Sequence, residues 1–239
     1  MSKIVDNQAL LKILDGVAEV VAFALAGITA VRAKKKYEER RTKQTLHLLI
    51  FMAIVGILPL FQLSDSIFYP SFYPVKYGYA FIILLSALGN VYLLFFSVEV
   101  FLKEGENLAL SWRIYRVVAI VGELAFSVVG FLLKLRDLDV TIYLAAHFLI
   151  ALQLYVVLAT RSFALSRRVE GEYRRPLQYI GGFSGSLLAV YSFFILDSFY
   201  TNYTVWGFLG WAVYAFMTLL GYMGFARGKK RTNVKKKKR

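Results

Sequence analysis

The sequence of 239 residues contains no cysteine. Disulfide bonds, thiolate nucleophiles, iron–sulfur clusters and cysteine-based zinc sites are therefore excluded. Charge is also scarce, since charged residues make up 18% of the chain, against about 25% in an ordinary soluble domain. Proline occurs four times. Pro59 is the one that lies inside a long apolar stretch, where we expect a kinked helix.

Apolar residues are in excess. They make up 58% of the chain and give it a mean hydropathy of +0.56, whereas soluble domains are about 45–50% apolar. Such a surplus requires a solvent other than water, and lipid meets that requirement. The composition predicts an integral membrane protein whose main partner is the lipid bilayer.

Seven stretches reach the roughly 20 residues that a helix needs to cross a hydrocarbon core about 30 Å thick. They predict an all-α, single-domain bundle of seven transmembrane helices. The first stretch is expected to remain in the protein, because it is long and its positive flank follows it. The predicted spans are residues 10–31, 45–64, 77–98, 116–133, 140–160, 177–196 and 205–226.

Basic residues, 29 in all against 15 acidic ones, are distributed unevenly between the two sides. Most lie in the connections after spans 1, 3 and 5 and in the tail 227–239, which places the amino terminus outside and the carboxyl terminus in the cytoplasm of, most simply, a cell membrane. The tail is expected to contact anionic lipid headgroups rather than nucleic acid. Its contacting residues are Lys229, Lys230, Lys235, Lys236, Lys237 and Lys238.

An internal repeat is indicated by one ungapped displacement of the sequence. It aligns Phe51 with Phe183, Asp65-Ser66 with Asp197-Ser198, and Leu88-Gly89 with Leu220-Gly221. Spans 1–3 and 5–7 both begin on the outer side, so the repeats would be parallel. We predict a 3+1+3 plan within residues 1–226: repeat 1 at about 10–101, a linker helix at about 114–133, and repeat 2 at about 140–226.

This layout resembles that of the SWEET and PQ-loop sugar transporters and of the PnuC vitamin transporters. The resemblance implies transport through a site between the repeats. It is confined to layout, because the chain contains no Pro-Gln pair, and neither family's binding residues are carried over. Seven spans also resemble the microbial rhodopsins, but span 205–226 has no lysine that could bind retinal.

Ionisable side chains within apolar spans are costly and indicate a functional site or an internal partner. Glu19 and Glu123 are the most deeply placed, and we rank them first for proton or cation coupling, with structural hydrogen bonding as the alternative. Asp15 lies four residues before Glu19, hence on the same helix face. The full set of candidates for solute or ion binding is Asp15, Glu19, Asp65, Glu123, His147 and Asp197.

Four of these candidates could form one group facing the outside. Asp65 and Asp197 end spans 2 and 6 at that side, where the helix dipole disfavours negative charge, and the repeat aligns Asp15 with His147. The alternative is that the two aspartates are solvated at the interface, while His147 hydrogen-bonds a neighbouring helix.

Enzyme chemistry is not expected. Gly182-Phe183-Ser184-Gly185 fits the G-x-S-G pattern of rhomboid proteases, but no histidine follows it to serve as a base. His47 and His147 are predicted in opposite leaflets, so no shared metal or haem cofactor is expected. Gly181, Gly182 and Gly185 are expected instead to let the sixth helix approach a neighbour closely.

The leading interpretation is a small-solute or cation-coupled transporter with its site between the repeats. The alternative is a seven-helix sensor or receptor that signals to a separate cytoplasmic partner through the basic connections. A homo-oligomer is compatible with either interpretation.

Overall fold

The computed structural model describes residues 2–68, 78–102, 109–136, 138, 141–199 and 205–226. The side chain of Asp65 and the tail lysines Lys229, Lys230, Lys235, Lys236, Lys237 and Lys238 lie outside the described residues. The helices are α1 (Ser2–Arg40), α2 (Lys43–Phe68), α3 (Gly78–Ser97), α4 (Leu110–Leu135), α5 (Thr141–Arg168), α6 (Arg174–Ser198) and α7 (Val205–Gly221).

Short segments of other helical types accompany three of them. π-Helical turns at Val98–Leu102 and Tyr222–Ala226 continue α3 and α7, and a 3₁₀ turn at Gly171–Tyr173 precedes α6.

All seven helices are long and apolar enough to cross a membrane. A helix satisfies its own backbone hydrogen bonds, which a bilayer cannot do for it. Within the described residues, the predicted all-α fold with seven helices able to span a membrane is therefore confirmed, and these helices are compatible with a multi-pass membrane protein.

Helix α1 continues well past the predicted end of the first span. Lysine, arginine, glutamate and alanine, which fill residues 32–40 together with one tyrosine, favour helix, so the helix extends beyond its apolar stretch. The connection to α2 consists of Arg41 and Thr42 alone. Thr42 Oγ1 accepts the N–H of Thr45 (3.3 Å), and Thr45 Oγ1 accepts the N–H of Thr42 (3.2 Å). This reciprocal cap fixes the start of α2.

The helices form a closed ring. Each packs against the next in sequence, and α7 packs against α1. We call the end where α1, α3, α5 and α7 begin the N end of the bundle, and the opposite end the C end. Any seven helices that pack in sequence order around a ring would make these contacts. The contacts therefore do not test the two-repeat plan, which remains a prediction.

Helix α4 illustrates how the bundle separates lipid from interior. Its buried positions form a narrow stripe at Ala119, Glu123, Ser127 and Gly130, while Val117, Val121 and Val128 are exposed. In lipid the large apolar side chains face outward, and small residues allow close helix contact. Glu123 is thus held within the inward stripe.

Pro59 lies inside α2, as predicted. Proline has no N–H and leaves the carbonyl four residues earlier without its helical donor, which here is the carbonyl of Val55. The hydroxyl of Tyr214 on α7 donates to that carbonyl at 2.7 Å. The break in α2 is therefore satisfied by a side chain from another helix.

The glycines of α6 differ in their surroundings. A Cβ built on Gly181 would lie 2.8 Å from the ring of Phe163 on α5, and one on Gly182 would lie 3.1 Å from Leu220 on α7. Gly185 was grouped with them by its spacing, but a Cβ there would meet no atom within 4 Å. Gly185 points away from the helix contacts, because its position in the turn faces outward.

Candidate functional site

Five polar side chains meet inside the ring, and we call them the polar cluster. Asn90 comes from α3, Glu123 from α4, His147 and Tyr155 from α5, and Tyr191 from α6. The first four are 5%, 2%, 1% and 0% exposed. Contacts between these side chains connect four helices, α3, α4, α5 and α6.

Glu123 and His147 form the ionisable core of the cluster. The Nδ1 atom of His147 contacts Oε2 of Glu123, and both side chains are almost fully buried. Beside an ionised carboxylate, an imidazole nitrogen carries a proton. In that state Nε2 is the ring nitrogen that can gain or lose a proton.

Asn90 connects the pair to the rest of the cluster. Its amide nitrogen lies 3.4 Å from Oε1 of Glu123, 3.3 Å from Nε2 of His147 and 3.3 Å from the hydroxyl of Tyr191. Its carbonyl oxygen accepts the hydroxyl of Tyr155. An asparagine can use both ends in this way because it carries two donor hydrogens and an acceptor.

One arrangement of protons accounts for the hydrogen bonds of the cluster when Nε2 of His147 is unprotonated. Tyr155 donates to Asn90, Asn90 donates to Glu123 and Tyr191, and Tyr191 donates to Nε2 of His147 at 3.0 Å. Nδ1 of His147 and Oε2 of Glu123 are in ion-pair contact, but neither atom has a hydrogen bond of normal geometry. Buried polar groups connected in this way strengthen one another's hydrogen bonds.

The cluster can hold one more proton. With Nε2 unprotonated and Glu123 ionised, it carries one negative charge. A proton on either member of the pair removes that net charge, and a proton on Nε2 obliges the Tyr191 hydroxyl to turn and accept. Protonation would therefore change both the net charge of the cluster and the direction of its hydrogen bonds. The neutral form is favoured, because a net charge in the membrane interior is costly.

A small cavity adjoins Glu123. Its volume is about 10 Å³, and its lining includes Asn90, Tyr115 and Glu123 with apolar residues of α3, α4 and α5. About that volume is needed for one water molecule. The cavity therefore has space beside Glu123 for about one water molecule.

Small residues and rings position the cluster. A Cβ on Gly122, next to Glu123, would lie 2.7 Å from Ile150 of α5, and the hydroxyl of Tyr115 donates to the carbonyl of Ile150 at 2.8 Å. These contacts hold α4 against α5. The ring of Tyr191 stacks on Phe148 with a centroid distance of 5.7 Å, which fixes where its hydroxyl points.

Both members of the pair were predicted from the sequence, but their pairing was not. Asn90, Tyr155 and Tyr191 were not predicted. Asn90 offered a signal, as an amide in the apolar stretch of α3. The tyrosines offered none, because the chain contains 16 of them.

Glu19 lies elsewhere. It is fully buried on α1, which packs mainly against α2 and α7, whereas Glu123 lies on α4 between α3 and α5. The two deepest carboxyl groups predicted from the sequence therefore occupy different parts of the ring.

Asp15 and Asp197 lie towards the N end, on α1 and α6. Asp15 is 8% exposed. The Asp197 carboxylate lies against Gly207 in the first turn of α7, where a built Cβ would be 3.1 Å and 3.2 Å from its two oxygens. A helix N-terminus favours negative charge, which offsets the unfavourable position of Asp197 at the end of α6.

The hydrogen bonds and the ion-pair contact of His147 are those of the polar cluster. The side chain of Asp65 is outside the described residues, so the group of four remains a prediction. Ser184, in the G-x-S-G pattern, donates to the carbonyl of Ile180 in its own helix at 3.0 Å.

Comparison with protein-family models, with curated proteins and with solved structures gives no match. Among the described residues, the polar cluster is the strongest indication of function.

Proposed function

We propose that the protein is a proton-coupled transporter of a small solute, and that the Glu123–His147 pair binds the coupling proton. The observation that carries this proposal is a fully buried glutamate–histidine pair within membrane-spanning helices. Well-packed apolar residues often stabilise a fold as well as a buried ion pair does. Ionisable groups retained inside a membrane commonly form proton relays.

The position of the cluster supports the same function. Asn90 belongs to the predicted first repeat, Glu123 to the linker helix, and His147, Tyr155 and Tyr191 to the second repeat. Transporters built from repeats bind substrate and coupling ions at the repeat interface. A change in the protonation of the cluster would therefore act on the contacts between the two predicted repeats and the linker helix.

Contacts between aligned residues support the repeat. Phe51 of α2 and Phe183 of α6, which the displacement aligns, meet edge to face at 5.8 Å. Gly89 packs against Phe51 of the preceding helix, and its aligned partner Gly221 packs against Phe183 in the same way. Two aligned pairs making equivalent contacts favour a true repeat.

Burial follows the same alignment on α1 and α5. The pairs are Asp15 with His147, Glu19 with Ala151, Ala22 with Leu154, and Ala26 with Leu158, and all eight residues are buried.

The coupling step follows from the charge of the cluster. With a proton bound, the Glu123–His147 pair is neutral overall and the cluster is stable in a closed bundle. Loss of the proton leaves one negative charge, which favours a state in which water or a cationic group of the solute reaches Glu123. Alternation between these states would move a proton and a solute together.

The distribution of basic residues supports insertion with the amino terminus outside and the carboxyl terminus in the cytoplasm of a cell membrane.

Flux in liposomes tests the function. The purified protein is reconstituted with a trapped pH dye, and sugars, amino acids and nucleosides are added outside in turn. We expect one of these classes to drive proton movement in the wild type. In Glu123→Gln that movement should fall by about a hundredfold, since a carboxamide cannot carry the proton, while exchange of labelled solute without net proton movement persists.

Glu170→Gln is the matched control, because Glu170 is exposed in the α5–α6 connection, and it should leave the flux unchanged. Equal proton flux in wild type and Glu123→Gln would remove the pair from coupling. A wild type that moves neither protons nor any solute of the panel would favour the sensor interpretation.

A further inference from the structure

We propose that a layer of buried phenylalanines seals the interior of the bundle at its C end, and that Lys36 fixes one of these rings in place. We call Phe51, Phe96, Phe183 and Phe225 the phenylalanine layer. Its role as the barrier that a solute has to pass rests on the proposed function, whereas the seal itself does not.

The rings of the layer come from four helices and contact one another in a chain. Phe51 belongs to α2, Phe96 to α3 and Phe183 to α6, and Phe225 lies in the π-helical turn that continues α7. Their exposed fractions are 3%, 6%, 0% and 2%. Edge-to-face contacts join Phe51 to Phe183 at 5.8 Å, Phe183 to Phe225 at 5.4 Å and Phe225 to Phe96 at 5.3 Å between ring centroids. This geometry is the favourable one for aromatic pairs.

Two of these contacts cross the interior of the ring of helices. Helices α2 and α6 are separated by two helices on one side of the ring and by three on the other, and the same is true of α3 and α7. The contacts of Phe51 with Phe183 and of Phe96 with Phe225 therefore span the centre. The layer fills the interior at this depth instead of lining a seam between neighbouring helices.

The layer lies on the C-end side of the polar cluster. On α3, which runs towards the C end, Phe96 follows Asn90 by about 9 Å at 1.5 Å per residue. On α6, which starts at the C end, Phe183 precedes Tyr191 by about 12 Å on the same basis. A solute that moves through the interior from the cluster to the C end has to pass the layer, and an apolar constriction of this kind excludes water.

Glycines let the end of α7 close onto α6. A Cβ built on Gly221 would lie 3.2 Å from the ring of Phe183, and one on Gly224 would lie 3.0 Å from the backbone nitrogen of Ile180. Phe225 follows directly, within a π-helical turn. Such turns are rare and are frequent at functional sites.

Lys36 of α1 holds this turn from the other side. Its Nζ donates to the carbonyl of Phe225. Lys36 is half-buried, whereas its neighbour Lys35 is exposed. A hydrogen bond from a charged donor is stronger than one between neutral groups, so this bond fixes Phe225 to α1.

The same helices carry the layer and the polar cluster. Asn90 and Phe96 are both on α3, and Tyr191 and Phe183 are both on α6. A rearrangement of the cluster that shifts α3 or α6 would move Phe96 or Phe183 against Phe225, which stays with α1. Under the proposed function, this movement opens the C end to the solute.

Thiol labelling tests the seal, since the natural chain contains no cysteine. Leu187 is buried on α6, one turn from Phe183 and one turn from Tyr191 on the same helix face. Leu187→Cys therefore places a single thiol between the layer and the cluster. The full-length protein is reconstituted in vesicles whose tagged carboxyl terminus faces outward, and a charged, membrane-impermeant thiol reagent is added outside.

We expect slow labelling of Leu187→Cys in an otherwise unchanged chain. Adding Lys36→Met should speed the labelling by about tenfold or more, because a hydrogen bond from a charged group contributes about 1.5–3 kcal/mol to the closed form. Adding Phe225→Ala instead should speed it at least as much, since the ring itself is lost.

Two matched controls should leave the rate unchanged. Lys35→Met removes the exposed lysine next to Lys36. Phe194→Ala removes a ring that contacts Trp211 at 5.0 Å, on the N-end side of the cluster.

Fast labelling of Leu187→Cys alone would overturn the seal, whatever the other variants do. Equal rates after Lys36→Met and Lys35→Met would overturn the part assigned to Lys36. An equal acceleration by Phe194→Ala would also contradict the proposal, because the effect would then be a general loosening of the bundle. The labelling requires no solute and no proton movement. The expected rates in a protein that fails the flux test would therefore support the seal and overturn only the proposed function.

Discussion

The two sides of the helix ring are held together by different means. On the α1–α2–α7 side, the contacts are made to the backbone. Gly56 packs against the backbone of Ala26, and Thr29 donates to the carbonyls of Leu25 (2.8 Å) and Thr218 (3.4 Å). Lys36 donates to the carbonyl of Phe225. On the α3–α6 side, side chains bond mainly to one another in the polar cluster. Backbone carbonyls are not ionisable, whereas the polar cluster contains a glutamate and a histidine. The first side is suited to act as a scaffold and the second as a switch.

The largest effect is expected when the pair in the cluster is broken. His147→Ala leaves Glu123 buried without its partner, which should lower the free energy of unfolding by about 3–5 kcal/mol. Unfolding in mixed micelles, followed by circular dichroism, measures the change.

His47→Ala, at the other histidine of the chain, is the control. The His47 ring lies beside the rings of Tyr92 and Phe95, with centroid distances of 6.2 Å and 5.4 Å. Its loss should cost about 1 kcal/mol. Similar losses at both positions would contradict a special role for the pair.

A second prediction concerns the seam between α5 and α6. Gly181→Ala inserts a methyl group 2.8 Å from the Phe163 ring, and overpacking of this kind costs about 1–3 kcal/mol. Gly185→Ala on the same helix meets open space and should be neutral or stabilising by up to about 1 kcal/mol. Tm values in the same detergent compare the two, and equal shifts would contradict the assigned contact.

On the scaffold side, Tyr214→Phe removes the donor to the Val55 carbonyl. The orphaned carbonyl should lower the free energy of unfolding by about 1–3 kcal/mol. In a Pro59→Ala background the residue at position 59 regains its N–H, so the same change should cost less. A double-mutant cycle measures the coupling, and additive effects would show that the hydroxyl does not serve that carbonyl.

The smallest effect is expected at Thr29. Its hydroxyl bonds to two backbone carbonyls, one of them at only 3.4 Å, so Thr29→Val should cost only about 0.5 kcal/mol. Chemical unfolding of the two proteins side by side is sensitive enough to check this. A loss as large as that of His147→Ala would remove the contrast between the two sides.

The seven helices were predictable because lipid imposes both their length and their internal hydrogen bonding. Helix ends were less so, since the charged residues before Arg41 continue α1 beyond its apolar stretch. Glu123 and His147 were identifiable because ionisable groups are rare in such stretches.

Their pairing was not predictable, because it depends on how α4 and α5 are rotated about their axes. The same limit applies to Gly181 and Gly185, which share a spacing and differ in what they face. Tyr155 and Tyr191 carry no mark in the sequence that separates them from tyrosines at the membrane interface.

The measurement that tests the central claim most directly is nitrogen NMR of the protein labelled in histidine and held in lipid bilayers. The chain has two histidines, so a His47→Asn variant assigns both sets of ring signals. We predict that the His147 signals change reversibly with pH as the cluster takes up its proton, and that Glu123→Gln abolishes this change. His147 signals that stay constant across the pH range, or that change equally in Glu123→Gln, would contradict it.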